Sequence, residues 1–160
     1  MIRTACAGDA PSICAIYNHY IEHSYATFEE AVLAPEEMRR RIEETTATYP
    51  WFVWEDNGEV VGYCYGRRWR ERAAYRHSVE ATIYLKPGAA GQGTGSILFE
   101  VLLAELRSRG FHCVIGGVSL PNPASVALLE KFGLKKVAHF SEVGYKLGRW
   151  IDVGYWQMVL

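Results

Sequence analysis

The strongest constraint in this sequence is a glycine-rich turn that runs unbroken into an amphipathic helix. The turn is Pro87-Gly88-Ala89-Ala90-Gly91-Gln92-Gly93-Thr94-Gly95-Ser96. The helix follows as Ile97-Leu98-Phe99-Glu100-Val101-Leu102-Leu103-Ala104-Glu105-Leu106-Arg107, and Gly110 ends it. A strand-like run, Ser78 to Leu85, with β-branched Val79, Thr82 and Ile83, leads into the turn. Strand, glycine turn and helix N-terminus together make an anion site. The first-turn amides of a helix have no internal partners, and the macrodipole adds partial positive charge there. Glycines let the backbone come close to a phosphate.

Two nucleotide readings fail on the residues. A P-loop needs Lys after its last glycine, and Ser96 follows Gly95. A dinucleotide fingerprint starting at Gly91 needs glycine at position 96, and the turn comes late in the chain, after a hairpin. The pyrophosphate loop of an acyl-CoA enzyme and a plain connection remain.

The rest of the chain frames this turn. Ile2 to Ala5 reads as a first strand. Asp9 is placed to cap a helix with Pro11 in its first turn, and Ile13, Ile16, Tyr17 and Tyr20 give that helix one apolar face. Pro35 opens a second helix to about Thr46. Trp51 to Trp54 and Val60 to Trp69 flank Asp56-Asn57-Gly58, a hairpin turn. Beyond the turn come a strand from His112 to Val118, a helix from Asn122 to Phe132 stopped by Gly133, and strands at Lys135 to Phe140 and Gly154 to Leu160. The order predicts one α/β (α+β) domain over residues 1–160, a mixed sheet with helices on both faces.

Composition excludes several classes. A formal net charge of −1 gives no field for nucleic acid or an anionic membrane. Cys6, Cys14, Cys64 and Cys113 form no C-x-x-C pair, and no Cys/His spacing suggests a metal. Met1-Ile2-Arg3-Thr4 carries no apolar h-region, so no signal peptide and a cytoplasmic location are expected. No apolar run is long enough to span a bilayer.

Ile83-Tyr84-Leu85 followed by Gly91-Gln92-Gly93-Thr94-Gly95-Ser96 and a Leu-rich helix resembles the acetyl-CoA motif of the GNAT superfamily. Asn122-Pro123-Ala124-Ser125, leading a helix that ends in Gly133-Leu134, resembles its second CoA segment. Four further stretches narrow the resemblance to the phosphinothricin/methionine-sulfone N-acetyltransferase branch. They are Ile16 to Tyr20, Ala26 to Glu29, Tyr75 to Leu85 and Val143 to Val153, the last carrying Gly144-x-Lys146-x-Gly148-x-Trp150-x-Asp152. The resemblance covers nearly the whole chain. Two positions depart from the superfamily pattern: Ala90 stands where Gln or Arg usually opens the loop, and Leu129 where many members carry a thiolate-protonating Tyr.

The resemblance implies a GNAT fold, with a mostly antiparallel seven-stranded sheet splayed where acetyl-CoA binds. It implies acetyl transfer from acetyl-CoA to the primary amine of a small amino-acid-like molecule, of phosphinothricin, methionine sulfone or sulfoximine type, and a homodimer. Carried onto this chain, it implies cofactor contacts at Ile83, Tyr84, Leu85, Gly91, Gln92, Gly93, Thr94, Gly95, Ser96, Asn122 and Ser125. The residues alone leave Glu80 open as a base or as part of a half-exposed strand face shared with Ser78 and Thr82; the resemblance implies the catalytic base. The acid group of such a substrate points to the Arg-rich stretch, with Arg70 and then Arg72 favoured as partners. Phe28 and Tyr145 are candidate pocket walls, and Lys146, Arg149 and Trp150 shape either the floor of the site or a dimer interface. A protein or peptide N-acetyltransferase and a non-catalytic acyl-CoA sensor are the competing functions.

Overall fold

The computed structural model describes residues 1–160. Seven strands form a single sheet: β1 (Ile2–Thr4), β2 (Trp51–Asp56), β3 (Glu59–Arg68), β4 (Ser78–Leu85), β5 (Cys113–Leu120), β6 (Lys135–Lys146) and β7 (Arg149–Val159). Their spatial order is β1-β2-β3-β4-β5-β7-β6, and only the β4–β5 pair is parallel. Four α-helices cover the faces: α1 (Ala10–His23), α2 (Pro35–Thr46), α3 (Thr94–Ser108) and α4 (Pro123–Lys131).

Alternation along β3 shows how the sheet serves two cores. Tyr63 and Cys64 are adjacent, so their side chains leave opposite faces. Tyr63 joins Ile13, Ile21 and Ile42 of α1 and α2. Cys64 joins Leu98, Leu102 and Leu106 of α3, with Leu129 of α4. The buried leucines of α3 recur every four residues, the spacing that keeps one helix face on a sheet. Truncating one of them to Ala would cost about 2–5 kcal/mol.

The sheet opens at β4–β5. Only Ser78, Val79 and Glu80 pair with β5, opposite Cys113, Val114 and Ile115. From there β4 follows β3 out to Leu85, while β5 follows β7 out to Leu120. Lys86 donates its N–H to the carbonyl of Val61 across the β3 side. By antiparallel alternation, Ile83 and Leu85 then turn their backbone groups toward the gap. Tyr20 donates its hydroxyl to the carbonyl of Leu85 at 2.6 Å, so one group freed by the splay finds a partner.

Two local expectations are corrected. Asp9 immediately precedes α1 but makes no side-chain cap to it. Its carboxylate accepts instead from Arg3 at 2.7 and 2.8 Å and from the Cys6 amide at 2.8 Å, closing the short turn before the helix. The last two strands extend well past the expected 135–140 and 154–160. They form one long hairpin closed at Leu147-Gly148, with a register shift between Phe140 and Gly144.

Candidate active site

A cleft of about 730 Å3 runs from the glycine turn, through the gap between β4 and β5, to a tyrosine-rich pocket under α1. The glycine turn and the start of α3 form the end of the cleft where the sequence leads one to expect an anion. Gly93 holds the position before α3 with φ +82°, a left-handed conformation that glycine adopts without strain. Gly91, Gly93, Gly95 and Ser96 line the cleft, and a Cβ placed at Gly91 or Gly93 would meet nothing within 4 Å. On the facing arm, the Asn122 side chain accepts the Ser125 amide at 3.2 Å and so caps α4; both residues line the cleft. These features fit a pyrophosphate, which needs close amide approach and partial positive charge.

The middle of the cleft is framed by Ile83, Tyr84 and Leu85 on β4 and by Gly116 and Gly117 on β5. Leu129 fills the space over Gly116, where a Cβ would lie 2.8 Å from its Cδ1, so the position of the departed tyrosine is a packed apolar contact. Tyr155 covers Gly117 in the same way, 3.0 Å from a Cβ there.

The far end carries charge. Glu80 is the last β4 residue paired to β5, at the apex of the splay. Its Cα partner on β3 is Arg67, whose Nη2 donates to Glu80 Oε1 at 2.5 Å. Glu80 is the only acidic residue lining the cleft, and its side chain is 18% exposed against 54% for Arg67. Burial works against the Arg67 guanidinium, but its charged partner Glu80 leaves the group's pKa raised.

The wall of this pocket is the segment between α1 and α2, held at three points. Tyr17 shares a hydrogen bond of 2.7 Å with Thr27 and donates to Glu29. Burial pushes the Tyr17 phenol up, while two hydrogen bonds from Arg41, at 2.7 and 2.8 Å, hold the Glu29 carboxyl below the usual carboxylate range. Lys146, buried at 2% exposure, donates to the carbonyls of Ser24 and Thr27 at 2.7 Å each and of Tyr20 at 3.3 Å. Desolvation pulls its pKa down. Phe28 projects from this segment into the cleft, its ring on the backbone of Gly144.

Of the expected site residues, Glu80, Phe28, Ile83, Tyr84, Leu85, Gly91, Gly93, Gly95, Ser96, Asn122 and Ser125 converge on this one cleft. Five do not line it. Gln92 is exposed, and Thr94 is buried at the start of α3. Arg70 lies 4.8 Å over the ring of Trp69, which packs edge-on against the cleft-lining Tyr155. Arg72 is exposed on the connection before β4. Tyr145 packs on Trp150 on the outside of the β6–β7 hairpin.

Sequence reasoning passed over two cations. In sequence Arg67 is one of a cluster with Arg68, Arg70, Arg72 and Arg76, and only the β3–β4 register sets it opposite Glu80. Lys131, the last residue of α4, donates to Ser96 at 3.0 Å and so brings an ammonium to the start of α3. The Gly-x-Gly-Ser turn could have prompted a search for a facing Lys, because Ala90 supplies no charge.

A profile of the Acetyltransferase (GNAT) family matches residues 14–134. The phosphinothricin N-acetyltransferase of Streptomyces viridochromogenes is 39% identical over 98% of this chain and 85% of its own length. The L-methionine sulfoximine/L-methionine sulfone acetyltransferase of Salmonella typhimurium is 33% identical over 99% of this chain and 94% of its own. A GNAT superfamily phosphinothricin acetyltransferase from Sinorhizobium meliloti, solved in complex with AcCoA, superposes with a TM-score of 0.97 at 35% identity over 100% of this chain and 88% of that one. A structure described as ribosomal-protein-alanine N-acetyltransferase from Brucella melitensis also gives 0.97, at 34% identity over 100% and 99%.

Proposed function

The chain belongs to the GNAT acetyltransferase family, and from that premise we propose that it is a single-domain enzyme acetylating the primary amine of a small amino-acid-like acceptor, with Glu80 as general base. The observation that carries this reading is the position of Glu80. It is the one carboxylate in the cleft, at the apex of the splay and at the end away from the glycine turn.

Acetyl-CoA supplies an acetyl group already activated as a thioester. The amides of 91–96, with Lys131 nearby, would hold its pyrophosphate, and the open edge of β4 would pair with its pantetheine. The protein's own task is to prepare the amine. An ammonium has no lone pair to attack with, and a carboxylate within reach, directly or through one water, accepts its proton. Arg67 occupies Glu80 Oε1, and Oε2 forms no hydrogen bond within the chain, so one lone-pair face remains for that proton. A backbone N–H from 83–85, turned into the gap, supports the carbonyl oxygen as it gains charge.

A small acceptor fits better than a peptide. Phe28 and the 24–29 segment close the pocket, and the anchors at Lys146, Tyr17 and Arg41 keep that wall in place. Val143, Tyr145, Leu147 and Trp150 form an exposed apolar strip on the terminal hairpin, which supports a homodimer. No helix is long and apolar enough to cross a membrane.

A thiol-release assay tests the reading, with acetyl-CoA and a panel of phosphinothricin, methionine sulfone, methionine sulfoximine, polyamines and an alanine-initiated peptide. Turnover confined to the amino-acid analogues supports it. Faster turnover on the peptide would favour the protein-acetylating alternative, and acetyl-CoA binding without turnover on any amine would favour a sensor.

A further inference from the structure

The stretch Gly144-x-Lys146-x-Gly148-x-Trp150-x-Asp152 has two residues on the pocket wall. Gly144 lies under the ring of Phe28, and Lys146 donates to the carbonyls of Tyr20, Ser24 and Thr27. Asp152 touches neither, and both of its side-chain hydrogen bonds go elsewhere in β6. Phe140 pairs with Val153 and Gly144 with Ile151, so Ser141, Glu142 and Val143 stand opposite Asp152 alone. That is a bulge, and Glu142 enters it at φ +50°, a left-handed conformation that a side chain disfavours. Asp152 accepts the Glu142 amide on Oδ1 and His139 Nε2 on Oδ2, each at 2.8 Å. Lys136 donates to the other ring nitrogen of His139 at 2.9 Å. One carboxylate thus ties the strained residue of the bulge to the regular strand before it.

We propose that Asp152 is a positioning residue for the acceptor pocket, one that pins the β6 bulge and so fixes where Gly144 and Lys146 meet the pocket wall. The inference rests on the reading of the pocket beside Phe28 as the acceptor site. Both attachments of the wall fall in residues 144–146, the short stretch of β6 between the bulge and the closing turn. Side-chain direction alternates along a strand, so a bulge that gained or lost one residue would turn Gly144 and Lys146 to the opposite face. The bulge interrupts the β6–β7 ladder and holds Glu142 in a disfavoured conformation, so it needs a partner outside the ladder. The Asp152 carboxylate is that partner. Asp152 is adjacent to Ile151, the pairing partner of Gly144, so its side chain leaves the face opposite Phe28. It does not line the cleft, and it reaches the acceptor only through this backbone.

The test compares the wild-type protein with Asp152→Ala, Asp152→Asn and the double variant Asp152→Ala/Glu142→Gly. Steady-state kinetics use L-methionine sulfone, calorimetry follows acetyl-CoA, and hydrogen exchange follows the peptides that cover 24–30 and 140–147. Asp152→Ala is expected to raise acceptor KM about fivefold, with kcat within about twofold and acetyl-CoA affinity unchanged, and to speed exchange in both segments. An asparagine carbonyl still accepts the Glu142 amide, so Asp152→Asn should stay near the wild-type values. Glycine adopts a positive φ without strain, so adding Glu142→Gly to Asp152→Ala should recover part of the loss. A general loss of stability would not be rescued in this way. Unchanged KM and unchanged exchange at 24–30 in Asp152→Ala overturn the assignment, and so does a defect that Glu142→Gly leaves in full. A KM rise that tracks a change of oligomeric state on gel filtration would place Asp152 at a subunit interface and also overturn it. If neither alanine variant folds, Asp152 serves the hairpin as a whole and the assignment falls. Should the wild-type protein not turn over L-methionine sulfone, the acceptor reading is what fails. Exchange at 24–30 then decides alone, for Asp152 if it quickens in Asp152→Ala and recovers in the double variant, and against it otherwise.

Discussion

The ring of Phe28 rests on the backbone of Gly144 so closely that a Cβ there would lie 2.4 Å from Phe28 Cε2 and Cζ. The contact joins the segment that walls the acceptor pocket to the terminal hairpin. Gly144→Ala must displace the ring. Phe28 is 41% exposed, so it can swing without leaving a hole in the core. The expected result is a stability change of about 1 kcal/mol or less, and a severalfold rise in acceptor KM with the acetyl-CoA dissociation constant unchanged. Urea unfolding and steady-state kinetics read the two effects separately. A large stability loss with normal KM would mean the ring is a core element and not a wall.

The glycine turn separates two roles that a single substitution usually confounds. Gly93 needs its positive φ, so Gly93→Ala strains the backbone by about 1–2 kcal/mol and distorts the nest. Gly95 has an ordinary φ, and a Cβ there meets only Leu85 at 3.6 Å and Ile83 at 3.9 Å, ordinary contact distances. Gly95→Ala should therefore fold normally yet crowd a phosphate at the helix start. The expected outcome is an unchanged melting temperature for Gly95→Ala with acetyl-CoA affinity down about tenfold, and losses in both for Gly93→Ala. Calorimetry and thermal unfolding check this; equal acetyl-CoA affinity in Gly95→Ala would remove the turn from the binding site.

Lys131 brings a positive charge to the start of α3, where Ala90 supplies none. Its ammonium reaches Ser96 from across the cleft. Lys131→Met should weaken acetyl-CoA binding about fivefold at low salt, the order of one screened charge contact, and the difference should shrink as ionic strength rises. Acceptor KM should not move. A salt-independent defect would point to packing on Phe132, whose ring lies 5.7 Å from the same ammonium.

How far the sequence showed all this depended on whether a feature was local. The turn, the α3 helix and the helix that follows Asn122 are written in consecutive residues, and the structure has them where the pattern predicts. The splay follows from where β4 stops pairing, which no local pattern encodes. The strand character of residues 141–153 is not legible in the sequence because Val143, Tyr145 and Trp150 put apolar side chains on the exposed face, and Glu142, at φ +50°, breaks the alternation. The closing turn uses Leu147 at φ +51° before Gly148, and Leu is not a residue that announces a positive φ. Arg67 was hidden because β3 and β4 are joined by nine residues, and a connection of that length does not fix register as a two-residue turn does.

Acid should weaken the protein through Asp9. Hydrogen bonds from the Arg3 guanidinium, and then from the Cys6 amide, hold its carboxyl below the ordinary range. A depressed folded-state pKa contributes stability that is present above the unfolded-state value and is lost as pH falls through the folded one. Asp9→Asn should cost about 2 kcal/mol at pH 7, the scale of hydrogen bonds to a charged group. The gap to the wild-type protein should narrow as pH drops below about 4. Urea titrations between pH 3 and 7 measure it, and a gap that stays constant across that range would mean the ion pair contributes nothing pH-dependent.

Glu80→Gln isolates proton transfer from geometry. A glutamine carbonyl can still accept from Arg67, so the cross-strand contact and the β4–β5 apex should persist. Uptake of a proton from the ammonium is what disappears. The expected loss is about 100-fold or more in kcat at neutral pH, with acetyl-CoA binding retained. Raising the pH should recover part of the loss, because a growing fraction of the acceptor amine arrives already deprotonated. That recovery distinguishes a missing base from a damaged pocket, which would stay slow at every pH. Wild-type turnover in Glu80→Gln would instead assign the proton to a water with no carboxylate behind it, and would leave Glu80 as the partner that holds Arg67 in place.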